Sequence, residues 1–181
     1  MIESLVRDGS RTFPLIADPL SVTALRVWFC KYRTLEPIAH LTSLRTLTIA
    51  GYPDADFTPL GHLTSLEYLS VLDFRHVADL EPLRALQGLK TLRLHSPPSW
   101  DSSSKVIEVS SLEPIAALPR LEYLELFGVR PASPSLAELE GAPLLQSVRV
   151  SKYPVAEVAR YRSATGVGDA FAPEPKYLDW T

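Results

Sequence analysis

No asparagine occurs anywhere in these 181 residues, and cysteine occurs once. Without asparagine, no turn can lean on that side chain. A single thiol, Cys30, allows no disulfide within the chain, which fits a reducing compartment. No apolar run approaches the ~18 residues a membrane-spanning helix requires, and the opening Met1-Ile2-Glu3-Ser4-Leu5-Val6-Arg7-Asp8-Gly9 lacks the basic and apolar regions of a secretory signal. If Met1 is the native start, the expected setting is the cytoplasm. Net charge is scarce too: 18 Lys and Arg against 21 Asp and Glu leave −3, which gives no global footprint for nucleic acid or for an anionic membrane surface.

Recognisable catalytic signatures are also missing. There is no Gly-x-Ser-x-Gly, phosphate-cradling glycine loop, His-Glu-x-x-His or Cys-x-x-Cys. His40 and His62 lie 22 residues apart at matching places in consecutive units, where they read as stacked surface histidines. A zinc site needs three or four converging ligands, and nothing supplies a third in register. Asp54 and Asp56, with Asp73 and Asp79 nearby, lack the glycine-centred loop of a calcium site. No cofactor and no metal are therefore expected.

What the chain has is leucine in a fixed phrase, Leu-x-x-Leu-x-x-Leu-x-[Leu/Ile/Val]. Copies run through Leu41-Leu44-Leu47-Ile49, Leu63-Leu66-Leu69-Val71, Leu86-Leu89-Leu92-Leu94 and Leu118-Leu121-Leu124-Leu126. Degenerate copies flank them, aligned as Val22-Leu25-Trp28-Cys30 and Ala142-Leu145-Val148-Val150. The second positions are then spaced by 19, 22, 23, 32 and 24 residues. A period of roughly 20 to 50 residues marks units that cannot bury their apolar edge alone and must stack. Within each phrase apolar and polar residues alternate with period 2, which predicts a short strand with one buried face near 26–30, 46–49, 68–71, 91–94, 123–126 and 147–150. Neighbouring strands must run parallel, because each crossover returns the chain to the same edge.

The crossovers repeat as well. Leu35-Glu36-Pro37-Ile38, Phe57-Thr58-Pro59-Leu60, Leu80-Glu81-Pro82-Leu83 and Leu112-Glu113-Pro114-Ile115 follow Thr34, Asp56, Asp79 and Ser111, and Ser135 stands at the same place before Leu136. All five are good capping residues, and proline is tolerated in a first helical turn whose N–H groups have no internal partner. One short helix or 3₁₀ turn per unit is expected on the outer face.

These phrases resemble the leucine-rich repeat family, in particular its short bacterial, internalin-like class, over about residues 18–153. The resemblance implies an α/β solenoid: a parallel inner sheet of about six strands with short helices or 3₁₀ turns outside. It also implies a non-catalytic module that binds another protein, as an intracellular bacterial adaptor or an inhibitor that occludes a toxin or enzyme. One departure stands out. Family repeats place asparagine three residues after the last strand anchor, where this chain has Arg33, Tyr52, Phe74, Pro97, Val129 and Tyr153, so packing must hold the turns.

A single domain is expected, with residues 1–17 as N-terminal cap, 18–153 as repeats and 154–181 as C-terminal cap and tail. Residues 3–15 are expected to form a hairpin about Asp8-Gly9, with a helix at 2–7 as the rival. A helix over about 154–164 should bury Val155, Val158 and Ala159 and end at Gly166. The tail is expected to dock back through Tyr177, Leu178 and Trp180.

Alternation sends the residues between anchors onto the open inner face, in rows Val27-Phe29-Lys31, Thr46-Thr48-Ala50, Tyr68-Ser70-Leu72, Thr91-Arg93-His95, Tyr123-Glu125-Phe127 and Ser147-Arg149-Ser151. At ~4.8 Å per strand the face is roughly 24 Å across. Phe29, Tyr68, Leu72, Tyr123 and Phe127 are large where a merely soluble face would carry Lys and Glu, and Arg93, His95, Glu125 and Arg149 accompany them. Tyr and Arg in particular are enriched among the residues that dominate protein contacts. The insertion His95–Lys105 adds Trp100 as a second candidate anchor at the rim. The competing readings are cross-strand stabilisation alone, self-association through this face, the chain being expected as a monomer or a weak homo-oligomer, and a hydrolase or metal-dependent enzyme assembled from His95, Glu125 and Asp73.

Overall fold

A computed structural model describes residues 1–97 and 106–175 of the chain. Seven parallel strands form one sheet: β1 Ile2–Val6, β2 Ala24–Trp28, β3 Thr46–Ala50, β4 Tyr68–Leu72, β5 Thr91–His95, β7 Tyr123–Phe127 and β9 Ser147–Val150, in that spatial order. β6 Ile107–Val109 and β8 Val129–Pro131 make a separate two-stranded parallel pair beside the fifth and sixth turns of the solenoid. The repeat phrase explains the main sheet. Its leucines point into one continuous core, where Leu44, Leu47, Ile49, Leu63, Leu66, Leu69 and Val71 are wholly buried. Register follows the phrase without slippage, Leu47 beside Leu69 beside Leu92 beside Leu124 beside Val148.

On the outer face each unit contributes one short helical turn: 3₁₀ at Glu36–His40, Glu81–Ala85 and Ala137–Gly141, α1 at Thr58–Gly61 and α2 at Glu113–Ala116. All five expected caps form. Thr34 Oγ1, Asp56 Oδ1, Asp79 Oδ1, Ser111 Oγ and Ser135 Oγ accept from the N–H two residues on, at 3.0, 2.8, 2.9, 3.0 and 3.2 Å. A second layer of caps links successive units. Asp54, Glu138 and Glu157 accept from the N–H groups of Leu35, Leu112 and Leu136 at 2.8, 2.5 and 2.6 Å, so a carboxylate of one unit satisfies an orphan donor of the unit before it.

The first repeat lies in a different register from the one expected. Leu25 sits beside Leu47 and Val27 beside Ile49, so Val22, not Leu25, is the counterpart of Leu44. The Leu-x-x-Leu phrase is nearly self-similar under a shift of three residues, and an odd shift exchanges the two faces of a strand. Val27 therefore points inward. Trp28 points outward, and the outward row is Ala24-Arg26-Trp28. Phe29 lies beyond the strand in the turn. With Val22 as the anchor, its spacing to Leu44 is 22 residues, equal to that from Leu44 to Leu66. The N-terminus differs too: residues 2–6 are neither a hairpin arm nor a helix but β1, parallel to β2.

After β1, β2, β3, β4, β7 and β9 the chain turns through a left-handed residue. Arg7, Phe29, Gly51 and Asp73, each 22 residues from the last, have φ of 51°, 49°, 79° and 60°, and Gly128 and Lys152 continue the series at 66° and 68°. The N–H groups of Arg7, Phe29, Gly51 and Asp73 donate to Trp28, Ala50, Leu72 and His95 carbonyls at 2.8–2.9 Å. This backbone ladder links the turns without asparagine. Beneath it Tyr52, Phe74 and Val129 are buried, and Phe57 bridges Tyr52 and Phe74 with ring centroids 5.1 and 5.3 Å away. Cys30 occupies the corresponding place in the first repeat, half-buried, with Sγ 3.3 Å from the Leu5 carbonyl oxygen.

The C-terminal helix α3, Val155–Thr165, ends at Gly166 in the left-handed conformation (φ 72°), whose N–H donates to the Arg162 carbonyl at 2.8 Å. Its buried face differs from expectation. Val155 is 86% exposed, whereas Tyr161 is fully buried and Val158 partly so. Of the insertion, residues 98–105 with Trp100 lie outside the described residues, as do Tyr177, Leu178 and Trp180.

Candidate protein-binding face

The inner face carries three columns of side chains. In the first, Ala24, Thr46, Tyr68, Thr91 and Ser147 are buried and Tyr123 is half-buried. The second reads Ser4, Arg26, Thr48, Ser70, Arg93, Glu125 and Arg149, and the third Val6, Trp28, Ala50, Leu72, His95 and Phe127, by the strand register. Tyr68, Leu72, Arg93, His95, Tyr123, Glu125, Phe127 and Arg149 thus share one surface as the sequence suggests. Phe29 reaches it only from the rim, 46% exposed, with its ring edge-on to Trp28 at 5.6 Å.

Over β5, β7 and β9 the middle column alternates in sign, and its members bind one another. Glu125, 3% exposed, takes Arg93 Nε at 2.8 Å and His95 Nε2 at 3.2 Å on Oε2, and Arg149 at 2.5 Å on Oε1. Burial is the largest influence on its carboxyl and pushes it up, but the charges and hydrogen bonds of Arg93 and Arg149, with His95, outweigh this and hold it below the usual carboxylate range. His95 is shifted down, first by burial and then by Arg93, so it is neutral near pH 7. It stacks on Phe127 at 4.9 Å. Arg93 also donates to the Tyr68 hydroxyl at 3.0 Å.

Two residues that sequence reasoning missed complete this end of the face, and both come from the tail. After α3 the chain pairs with β9: Gly168 N–H donates to the Gln146 carbonyl at 3.0 Å and its carbonyl accepts from Val148 N–H at 2.9 Å. Ser147 Oγ then donates to the Ala170 carbonyl at 2.6 Å. Beyond it, the Phe171 ring lies 3.7 Å from the Arg149 guanidinium carbon, and Glu174 accepts from Arg93 at 2.9 Å. The described part of the tail therefore docks back through Gly168, Ala170, Phe171 and Glu174, while Tyr177, Leu178 and Trp180 lie outside the described residues. Helix-ending Gly166 signalled the break, but no local pattern announces where an extended segment lands.

Toward β2–β4 the face opens. Arg26, Trp28, Thr48, Ser70 and Leu72 line a shallow cavity of about 240 Å³ that Glu174 closes at its far side. The Arg26 guanidinium carbon lies 4.6 Å from the centre of the Trp28 ring.

Little here suits catalysis. His95 and Glu125 do touch, but Glu125 is already charge-paired with two arginines, and Asp73 is bound by Arg75 at 2.8 and 2.6 Å. Among the described residues no three His, Cys, Asp or Glu side chains converge as metal ligands, and no helix is long and apolar enough to cross a membrane.

No protein-family model matches the chain, and no curated protein matches it. Among solved structures it is similar to internalin C2 of Listeria monocytogenes, at 29% identity and a TM-score of 0.52, over 73% of this chain and 53% of that one. It is also similar in fold to an internalin (inlF) of the same organism, at 19% identity and a TM-score of 0.54, over 82% of this chain and 47% of that one. The chain thus spans about half the length of these structures. Repeat phrase, parallel inner sheet and neighbours agree: the chain has the leucine-rich repeat fold of the internalin-like class.

Proposed function

We propose that this chain is a non-catalytic binding module that holds another protein on the inner face of its sheet. The observation that carries the reading is the outward column in which Trp28, Leu72, His95 and Phe127, with Ala50 between the first two, lie on a stiff sheet that no helix of the described residues covers, the four large side chains half-buried. Such groups offer contact area without much entropy left to lose on association. Tyr68, Tyr123, Arg93, Glu125 and Arg149 stiffen the face, Phe29 extends it at the rim, and Trp100 of the insertion is a further candidate contact. The likeness to internalin C2 supports a protein-binding module in general, the finer reading as a bacterial adaptor or inhibitor is our own, and the lone free thiol Cys30 suits a cytoplasmic setting.

The test is crosslinking followed by affinity. A photo-crosslinker in place of Ser70 should capture a partner that one in place of His62, on the outer face, does not. Trp28→Ala combined with Leu72→Ala should then weaken that partner by about 2 kcal/mol, roughly thirtyfold, while the melting temperature moves little. Unchanged affinity in the folded double variant would sink the reading.

A further inference from the structure

The tail lies across the inner face, and its contacts have a recognisable chemistry. At that end of the sheet stand two guanidinium groups, Arg93 and Arg149, and a single buried carboxylate, Glu125, between them. His95, shielded from water beside Arg93, adds no charge. One positive charge is left over, and Glu174 balances it through Arg93 at 2.9 Å. Three residues earlier, Phe171 covers the face of Arg149, which also pairs with Glu125 and lies 5.2 Å from the centre of the Phe127 ring. Between them Ala172 and Pro173 lie in neither helix nor strand, and upstream Gly168 has already paired with the outer edge of β9.

This seat is shallow. Phe171 keeps 76% of its surface exposed, and the Glu174 side chain keeps 71% of its own. An exposed cation–aromatic contact and an exposed ion pair each contribute little, so the segment is held largely by being tethered. A tethered ligand competes through its effective concentration, not through intrinsic affinity.

We infer that the Arg93–Arg149 end of the inner face is a docking site for an extended acidic segment of a partner protein, with an aromatic residue three positions before a carboxylate, and that residues 168–175 of this chain occupy it in cis. The inference deepens the reading of the inner face as a binding surface and rests on it. It assigns Arg93 to the incoming carboxylate, Arg149 to the incoming aromatic, and the edge of β9 to the backbone that precedes them. A partner of this kind must displace the tail, so tail release and partner entry are one exchange.

The experiment uses the full chain. A fluorescent peptide with the sequence of residues 168–175 is titrated to millimolar concentration into wild-type protein and into the Phe171→Ala, Glu174→Ala double variant, both substitutions being at exposed positions that leave the core intact. The peptide should bind the double variant about tenfold more tightly than wild type, because the competing tail has been disabled. A peptide with Lys in place of its glutamate should lose that binding. Equal anisotropy curves for wild type and double variant, or indifference to the charge reversal, would overturn the inference. The two tests change different residues, Trp28 and Leu72 in the crosslinking test and Phe171 and Glu174 here, so their outcomes separate: partner loss there with no peptide binding here rejects the tail site alone. Peptide binding here with no partner dependence on Trp28 and Leu72 rejects the broader reading instead.

Discussion

The first three and last three strands of the main sheet share one repeat and one register, yet they treat their outward columns in opposite ways. In β1–β3 the middle column is Ser4, Arg26 and Thr48, with no carboxylate among them. In β5, β7 and β9 the same column is Arg93, Glu125 and Arg149, which form an ionic triad about the buried Glu125 beneath the chain's own tail. The repeat dictates where a side chain points and leaves open what it does there. Buried leucines are interchangeable from unit to unit, because burial of apolar area is non-directional. Charged groups are not, because each needs a partner of opposite sign at the right distance.

Matched substitutions in the one column break or keep this contrast most sharply. Glu125→Ala leaves two guanidinium groups facing each other in a poorly solvated place, and breaking a pair of this kind costs about 3 kcal/mol or more. Thr48→Ala, three strands away along the same column in the open half, should stay within about 0.5 kcal/mol of wild type. Urea unfolding of both variants measures the difference. Similar midpoints would mean that the triad is a surface ornament and that the two halves do not differ in kind.

The asymmetry extends to the outer face, where two of the three carboxylates that cap a neighbouring unit, Glu138 and Glu157, belong to the C-terminal half. Glu157 is drawn down to about 2, first by hydrogen bonds from Arg160 and then by the Leu136 N–H. A carboxyl whose folded value is depressed stabilises the protein above its unfolded value, near 4.5, and that contribution fades as pH falls toward 2. Glu157→Gln keeps an acceptor for Leu136 but loses the charge. Allowing for solvent around the ion pair, it should cost between about 1 and 2 kcal/mol at pH 7. The gap from wild type should close on acidification from pH 5 to about 2, followed by chemical denaturation at each pH. A gap independent of pH would assign the effect to packing and not to charge.

Much of this architecture could be read from the residues, and the failures share a cause. The phrase of leucines, the five caps and the end of α3 at Gly166 are local patterns with local physical reasons. They form where expected. The first repeat slipped because Val22, Leu25 and Trp28 satisfy a three-residue spacing as well in the wrong register as in the right one. The unequal spacing of 19 residues was the available warning. The inner face was legible as a set of residues but not as a set of bonds. Arg93, Glu125 and Arg149 were aligned by the repeat, and their alternating sign on adjacent strands already implied that they neutralise one another. Phe171 and Glu174 carried no such signal, since an extended tail finds its seat through contacts far apart in sequence.

The smallest expected difference separates the tyrosines of the two halves. In the N-terminal half Tyr52 donates its hydroxyl proton to the Asp56 carbonyl at 2.8 Å. In the C-terminal half Tyr153 and Tyr161 bury their hydroxyl oxygens without a hydrogen-bond partner among the described residues. Removing a satisfied hydroxyl forfeits a hydrogen bond and strands its acceptor, whereas removing an unsatisfied one relieves a desolvated polar atom. Tyr52→Phe should therefore lose up to about 1 kcal/mol, while Tyr153→Phe and Tyr161→Phe should be neutral or gain a few tenths. Differential scanning calorimetry on the three single variants distinguishes the cases. If Tyr161→Phe destabilised as much as Tyr52→Phe, its hydroxyl would have to be bonded in solution, and the C-terminal end would be as fully satisfied as the rest of the stack.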